Sequence, residues 1–169
     1  MGYLGRIDWS EVPCVLPETQ WLGGGNIAFP RQLLAEVGGF ESHLGRVGAR
    51  LLSSEEILVR RQLESRGHGC YYHPEIQVWH HVPAFRMTQA WFRRRCYWQG
   101  VSNALLHMYR DVPSVSTRLG IGSREFVRLL TSPRRLVDLG RPTREPAQFL
   151  RQCGEISRVG YVAGWFGLL

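Results

Sequence analysis

Gly23-Gly24-Gly25-Asn26-Ile27-Ala28-Phe29-Pro30, followed by Arg31 to Val37 and then Gly38-Gly39-Phe40-Glu41, is the stretch that decides the fold of this chain. A glycine run leads into Ile27-Ala28-Phe29, a short apolar segment that reads as a buried strand. Pro30 suits the start of the helix that follows. Leu33, Leu34 and Val37 share one side of two helical turns, and Gly38-Gly39 closes them, because glycine accepts the left-handed conformation a helix end requires. Strand, turn and helix in this order predict an α/β architecture with a short mixed sheet.

Working outward, the first twenty residues mix Gly, Pro and aromatics without period and read as loop with one short strand. Phe40 to Arg50 is a second loop. Ser53-Ser54-Glu55-Glu56 opens the next helix, with Ser53 and Glu56 spaced as a capping box, and Ile57, Leu58, Val59 and Leu63 supply its apolar positions to about Arg66. Gly67 and Gly69 end it. Cys70 to His73 is β-prone, Pro74 interrupts, and Ile76-Gln77-Val78-Trp79-His80 alternates as a half-buried strand. From Thr88 to about Tyr109, Trp91, Trp98, Val101, Leu105 and Met108 recur at helical spacing, with Arg93-Arg94-Arg95 around the polar side. Two further helices are predicted over 123–130 and 147–160, separated by a Pro/Arg-rich linker at 131–146. The last third is therefore helical.

The composition bounds the functional classes. With 169 residues, 44% hydrophobic and 21% charged, the chain is globular and long enough for one domain with a core and an appendage. Its 21 Lys+Arg against 14 Asp+Glu give a net charge of +7. That field favours nucleic acid, anionic lipid or a nucleotide-diphosphate substrate. No nucleic-acid motif accompanies the charge, which makes nucleic acid the weakest of the three. Arg6, Asp8 and Glu11 interrupt the start, so no secretory core is expected there. Val159 to Leu169, the longest uncharged apolar run, is too short for a bilayer of roughly 30 Å. Cys14, Cys70, Cys96 and Cys153 are scattered, a pattern of reduced cytosolic thiols rather than of disulfides or a zinc finger.

Each candidate motif has two readings on chemistry alone. The glycine run is a tight turn, or a place where backbone approaches a ligand; neither GxGxxG nor GxxxxGK[ST] is present. Glu55 and Glu56 complement a helix N-terminus, or one of them is a general base. His80 and His81 end a strand and are packing residues, or one is a metal ligand lacking partners in sequence. Arg93-Arg94-Arg95 is a solvated helix face or, interleaved with Trp91, Tyr97 and Trp98, a surface for phosphates or anionic lipid headgroups.

Taken together, Gly24-Gly25-Asn26-Ile27-Ala28-Phe29, the short helix, Gly38-Gly39-Phe40-Glu41, the acidic pair Glu55-Glu56, Gly67 and Pro74 through His80 resemble the C-terminal half of the catalytic domain of glycosyltransferase family 2. His80-His81-Val82-Pro83-Ala84 and Trp91 through Gly100 are similar to its bacterial members. The resemblance covers about residues 20–105. It implies a partial GT-A fold at 1–110 with a helical, partly amphipathic tail at 111–169. The implied activity is inverting transfer of a sugar from a nucleotide-diphosphate donor to a glycan or lipid-linked hydroxyl, in polysaccharide or glycoconjugate synthesis.

The same resemblance implies roles for individual residues. Glu56, with Glu55 beside it, stands where the family has its Glu-Asp pair and would be the base on the acceptor hydroxyl, with a carboxylate one methylene longer than usual. Leu58 and Gln62 stand where the family often has an acidic residue and an arginine. His80 would ligate Mn²⁺ or Mg²⁺, Gly24, Gly25 and Asn26 would line a sugar pocket, and Arg93, Arg94, Arg95 and Trp98 would face the diphosphate. The family's Asp-x-Asp is missing: Asp8, Asp111 and Asp138 stand alone. The expectation is a piece of an enzyme that needs a nucleotide-binding half, supplied by a partner chain or a longer polypeptide. It would be cytoplasmic, at the inner face of the membrane. The alternative is a non-catalytic module of the same type that binds a partner protein or an anionic membrane surface.

Overall fold

The computed structural model describes residues 7–46, 48–131 and 136–168. They form two compact units, one of residues 1–43 and 55–82, the other of residues 44–54 and 83–169.

In the first unit a two-residue ribbon is the whole sheet among the described residues. Strand β1 (Cys14–Val15) pairs antiparallel with β2 (Tyr71–Tyr72), in the register Cys14 to Tyr72 and Val15 to Tyr71. Leu16 N–H continues the pairing to the Cys70 carbonyl at 2.8 Å. Helix α1 (Arg31–Glu36) buries none of its residues, and the Phe29 and Phe40 rings meet edge to face at its two ends, 5.8 Å apart. Helix α2 (Glu55–Glu64) supplies the core with Leu58, Val59 and Leu63, joined by Leu16. It ends where Gly67, at φ +88°, turns the chain left-handed: Gly67 N–H reaches the Glu64 carbonyl and His68 N–H the Leu63 carbonyl.

The second unit is helical. Helix α3 (Gln89–Asp111) is capped by Thr88, whose hydroxyl accepts from Trp91 N–H. Helix α4 (Val115–Leu130) is capped in the same way by Ser114. Helix α5 (Pro146–Phe166) begins with proline and ends at Gly167 in the left-handed conformation. Small residues let α3 and α5 cross closely. A Cβ at Gly100 would collide with the Ser157 carbonyl oxygen, and one at Gly160 with the Tyr97 carbonyl oxygen. Around that crossing Cys96, Val101, Ala104, Leu106, Val162, Ala163 and Trp165 are buried. Leu44 and Leu52, from the short 44–54 segment, and Leu129 and Cys153 are buried in this unit as well.

The α/β class stands, with helix dominating and the sheet reduced to two strands. Helices expected at 123–130 and 147–160 are longer than expected, and the linker positions 132–135 lie outside the described residues. The expected strand at Ile27–Phe29 does not form, because among the described residues no ladder partner faces it. Phe29 packs on Phe40 instead, and the Asn26 side chain ties its end of the segment to the Ile76 carbonyl. Ile76–His80 is not a strand either. Its residues are exposed on both alternating sides, with Trp79 fully exposed. Helix α3 packs along α5 within the second unit.

Candidate functional site

The acidic pair lies in the first turn of α2, where the helix dipole favours carboxylates. Ser54, buried and at φ +92°, delivers the chain into that turn. The expected capping box does not form. Ser53 N–H is given to the Ser102 hydroxyl at 3.1 Å, and the Ser53 hydroxyl meets Arg95 and Gln99, so neither is turned to Glu56.

What Glu56 does face is the glycine turn. A Cβ placed on Gly24 would stand 3.6 Å from the Glu56 Cδ and 3.8 Å from both carboxylate oxygens. The absence of a side chain at 24 thus leaves the Glu56 carboxylate lying over the backbone of the turn. That turn is closed by Asn26 N–H to the Gly23 carbonyl at 2.9 Å. Asn26 Nδ2 then donates to the Ile76 carbonyl at 2.9 Å, drawing the 74–80 loop to the same place. Glu55 adds a carboxylate oxygen, Oε2, that is buried and has no hydrogen-bond partner among the described residues. Gly24, Gly25, Asn26, Glu55 and Glu56 are therefore neighbours within one unit. They are spread over 33 positions of sequence and gathered by α2 and the turn.

Under this cluster sits a residue that the sequence reading passed over. Arg60 is buried one turn along α2, and its guanidinium donates to the carbonyls of Leu16 at 3.2 Å, Pro17 at 3.0 Å and Gln20. Its Nε pairs with Glu64 at 2.6 Å. A planar fork of donors suits three converging carbonyls. The signal available in sequence was the i, i+4 pairing of Arg60 with Glu64 on a helix otherwise apolar at 57–59. Leu58, one of the departures from the family pattern, is a core residue. Burial pushes the nearby Cys70 thiol above its ordinary range, and the Arg60 charge opposes part of that rise.

The remaining predicted site residues are placed otherwise. His80 is exposed and belongs to the 55–82 part of the first unit. Among the described residues no group of three or more His, Cys, Asp or Glu gathers as a cation site, so the side chains here do not by themselves fit a divalent metal. Arg93-Arg94-Arg95, expected around a polar helix face, is instead engaged within the helical unit. Arg95 is only 8% exposed, with Ser53 Oγ at 3.0 Å and Gln99 Oε1 at 2.8 Å. Arg94 donates to the Ala49 carbonyl. Arg93 spans Gln152 Oε1 and the Arg141 carbonyl and lies over the Phe149 ring. Trp98 is half-buried, edge to face with Tyr97. An open hollow of about 470 Å³ on this unit is lined by Asp138, Arg151, Gln152, Glu155 and Arg158, none of them a predicted site residue.

The sequence is similar to glucosyl-dolichyl phosphate glucuronosyltransferase of Haloferax volcanii, 31% identical over 86 residues. That match covers 50% of this chain and 28% of the relative, so the chain spans a little over a quarter of the curated protein it resembles. No family model matches the sequence, and no solved structure matches it significantly.

Proposed function

We propose that this chain forms the acceptor side of an inverting glycosyltransferase of family 2 and GT-A type, with Glu56 as the general base. The observation that carries the proposal is the Glu56 carboxylate lying over the side-chain-free backbone of Gly24, beside Gly25 and Asn26. A sugar hydroxyl seated on that turn meets a carboxylate able to take its proton as the oxygen attacks the anomeric carbon of the donor, whose bond to the nucleotide diphosphate breaks with the electron pair leaving on the diphosphate. The Gly-Gly-Asn turn lets backbone and the ligand approach closely, and Glu55 contributes negative charge beside the base. The relative's name suggests the acceptor class, a sugar carried on a lipid phosphate, and the nucleotide-diphosphate sugar as donor follows from the family resemblance.

The donor and any Mn²⁺ or Mg²⁺ belong, in this reading, to a nucleotide-binding half that brings its own carboxylates. His80 would be at most one ligand among them. Arg95 is left out of the substrate contacts, since its guanidinium is already engaged by Ser53 and Gln99. The test is a transfer assay on the complete enzyme that contains these residues. Glu56→Gln is expected to lower kcat by about 10²–10⁴-fold, the usual worth of a positioned base, with Glu56→Asp retaining part of the rate. Near-normal turnover by Glu56→Gln would remove Glu56 from the role.

A further inference from the structure

Among the described helices α4 has the most strongly amphipathic sequence, yet its apolar side is turned to solvent. Val115, Leu119, Phe126 and Leu130 are spaced at i, i+4, i+11 and i+15, which places them on one face of the helix. They are between 47% and 70% exposed, and the adjacent Val127 is 58% exposed. What α4 turns inward is Gly122, where a Cβ would stand 3.1 Å from the Phe166 ring, and Leu129. Scattered exposed apolar side chains are ordinary, but a strip that runs the length of one helix marks a surface that is covered in use.

The charge of the unit indicates what covers it. Residues 44–54 and 83–169 carry 16 arginines against five acidic residues, whereas the other unit carries five against nine. A second copy docked on the strip would bring two strongly cationic units together. A bilayer with anionic headgroups supplies opposite charge and hydrocarbon at once. Arg124 and Arg128 stand on the polar face of α4, largely exposed, as in helices that lie in a membrane interface. The protein has no lysine, and all 21 of its strongly basic side chains are arginine, the residue whose fork binds phosphate through two hydrogen bonds. No described helix is long and apolar enough to cross a membrane.

We propose that α4 is an interfacial docking helix that seats Val115, Leu119, Phe126 and Leu130 in the headgroup region of an anionic bilayer. The sequence reading gave this role to the Arg/Trp segment of α3, but two of its arginines, Arg93 and Arg95, are tied to Gln152, Gln99 and Ser53. The apolar anchor is on the next helix.

The test floats the full chain with vesicles of phosphatidylcholine alone and of equimolar phosphatidylcholine and phosphatidylglycerol. Binding is expected to the anionic vesicles only, and to weaken with salt. The triple variant Leu119→Ser, Phe126→Ser, Leu130→Ser changes only exposed positions and is expected to keep its circular dichroism spectrum. Its partitioning should fall by about tenfold or more. Partitioning equal to that of the unsubstituted chain would overturn the proposal, as would self-association through the strip without vesicle binding. Phe126→Trp gives a readout that requires no loss of binding: brominated acyl chains should quench the added fluorescence, and absence of quenching counts against insertion. Vesicle binding needs no sugar substrate, so its failure leaves the transfer reading intact, and the reverse holds.

Discussion

Replacing Gly100 by alanine adds one methyl group to α3, and the structure fixes where that methyl must go. It would meet the Ser157 carbonyl oxygen head on, and stand 2.7 Å from Tyr161 N and 2.8 Å from the Ser157 carbonyl carbon. All three are main-chain atoms, so no rotamer change relieves the overlap, and α3 and α5 must move apart by on the order of 1 Å. A gap of that size forfeits a quarter to a half of the dispersion energy of each contact along the crossing, among them those of Val101, Ala104, Val162 and Ala163. Overpacking costs typically ~1–3 kcal/mol, and the collision is with backbone, which places Gly100→Ala at the upper end. Alanine's better helix propensity returns only about 1 kcal/mol. The net expectation is a loss of roughly 2 kcal/mol in urea unfolding, seen as a lower midpoint at unchanged slope. Gly154→Ala on α5 is the matched control. Nothing lies within 4 Å of its Cβ position, so it should gain about 0.5–1 kcal/mol. If Gly100→Ala proves as stable as Gly154→Ala, the close crossing of α3 and α5 is wrong.

The first unit offers its own checks. Arg60→Leu strands three carbonyls and Glu64, and should cost about 3 kcal/mol in unfolding free energy; Arg60→Lys should recover only part, because an ammonium cannot serve the same converging set. Gly24→Val puts bulk where the Glu56 carboxylate lies, and should depress kcat in the complete enzyme while leaving the unfolding midpoint within about 1 kcal/mol, Gly24 being exposed. The raised Cys70 thiol should be alkylated near neutral pH more slowly than free cysteine, with the gap closing as pH rises, followed by mass spectrometry of the peptide. The sign for stability is the same. A thiol held above its unfolded value favours the fold below that value, and this contribution fades as pH climbs through the folded one.

Helices were the legible part of the fold. The periodic runs at 31–37, 55–66 and 88–109 each became a helix within two residues of the expected end, since glycine and proline punctuation is local chemistry. The strands were not legible. Ile27–Phe29 has a strand's composition, but a strand exists only if a partner offers its ladder, and the ladder here went to Cys14–Val15 and Tyr71–Tyr72, 57 positions apart. Within the candidate site the pairing of an acidic first turn with a glycine turn came from a family resemblance, and geometry then added the placement of the Glu56 carboxylate beside Gly24. Arg60 was missed because burial of a charge depends on carbonyls brought from far along the chain. The α3 arginines misled for the opposite reason: three charges in a row look solvated until the 44–54 segment and the 141–152 region come back to meet them.

The chain passes between its two units at 43–44, 54–55 and 82–83. No single cut in the gene therefore separates them. A clone ending after residue 82 would keep the glycine turn and the acidic pair. It would also keep Leu44 and Leu52, fully apolar side chains whose buried setting lies in the deleted helices. A clone starting at residue 83 would lose Leu51 and Ser53, whose carbonyl and hydroxyl both accept from the Arg95 guanidinium. Dissection of this protein into working parts calls for replacing the 44–54 excursion with a short polar bridge, and recombination would have to exchange both units together.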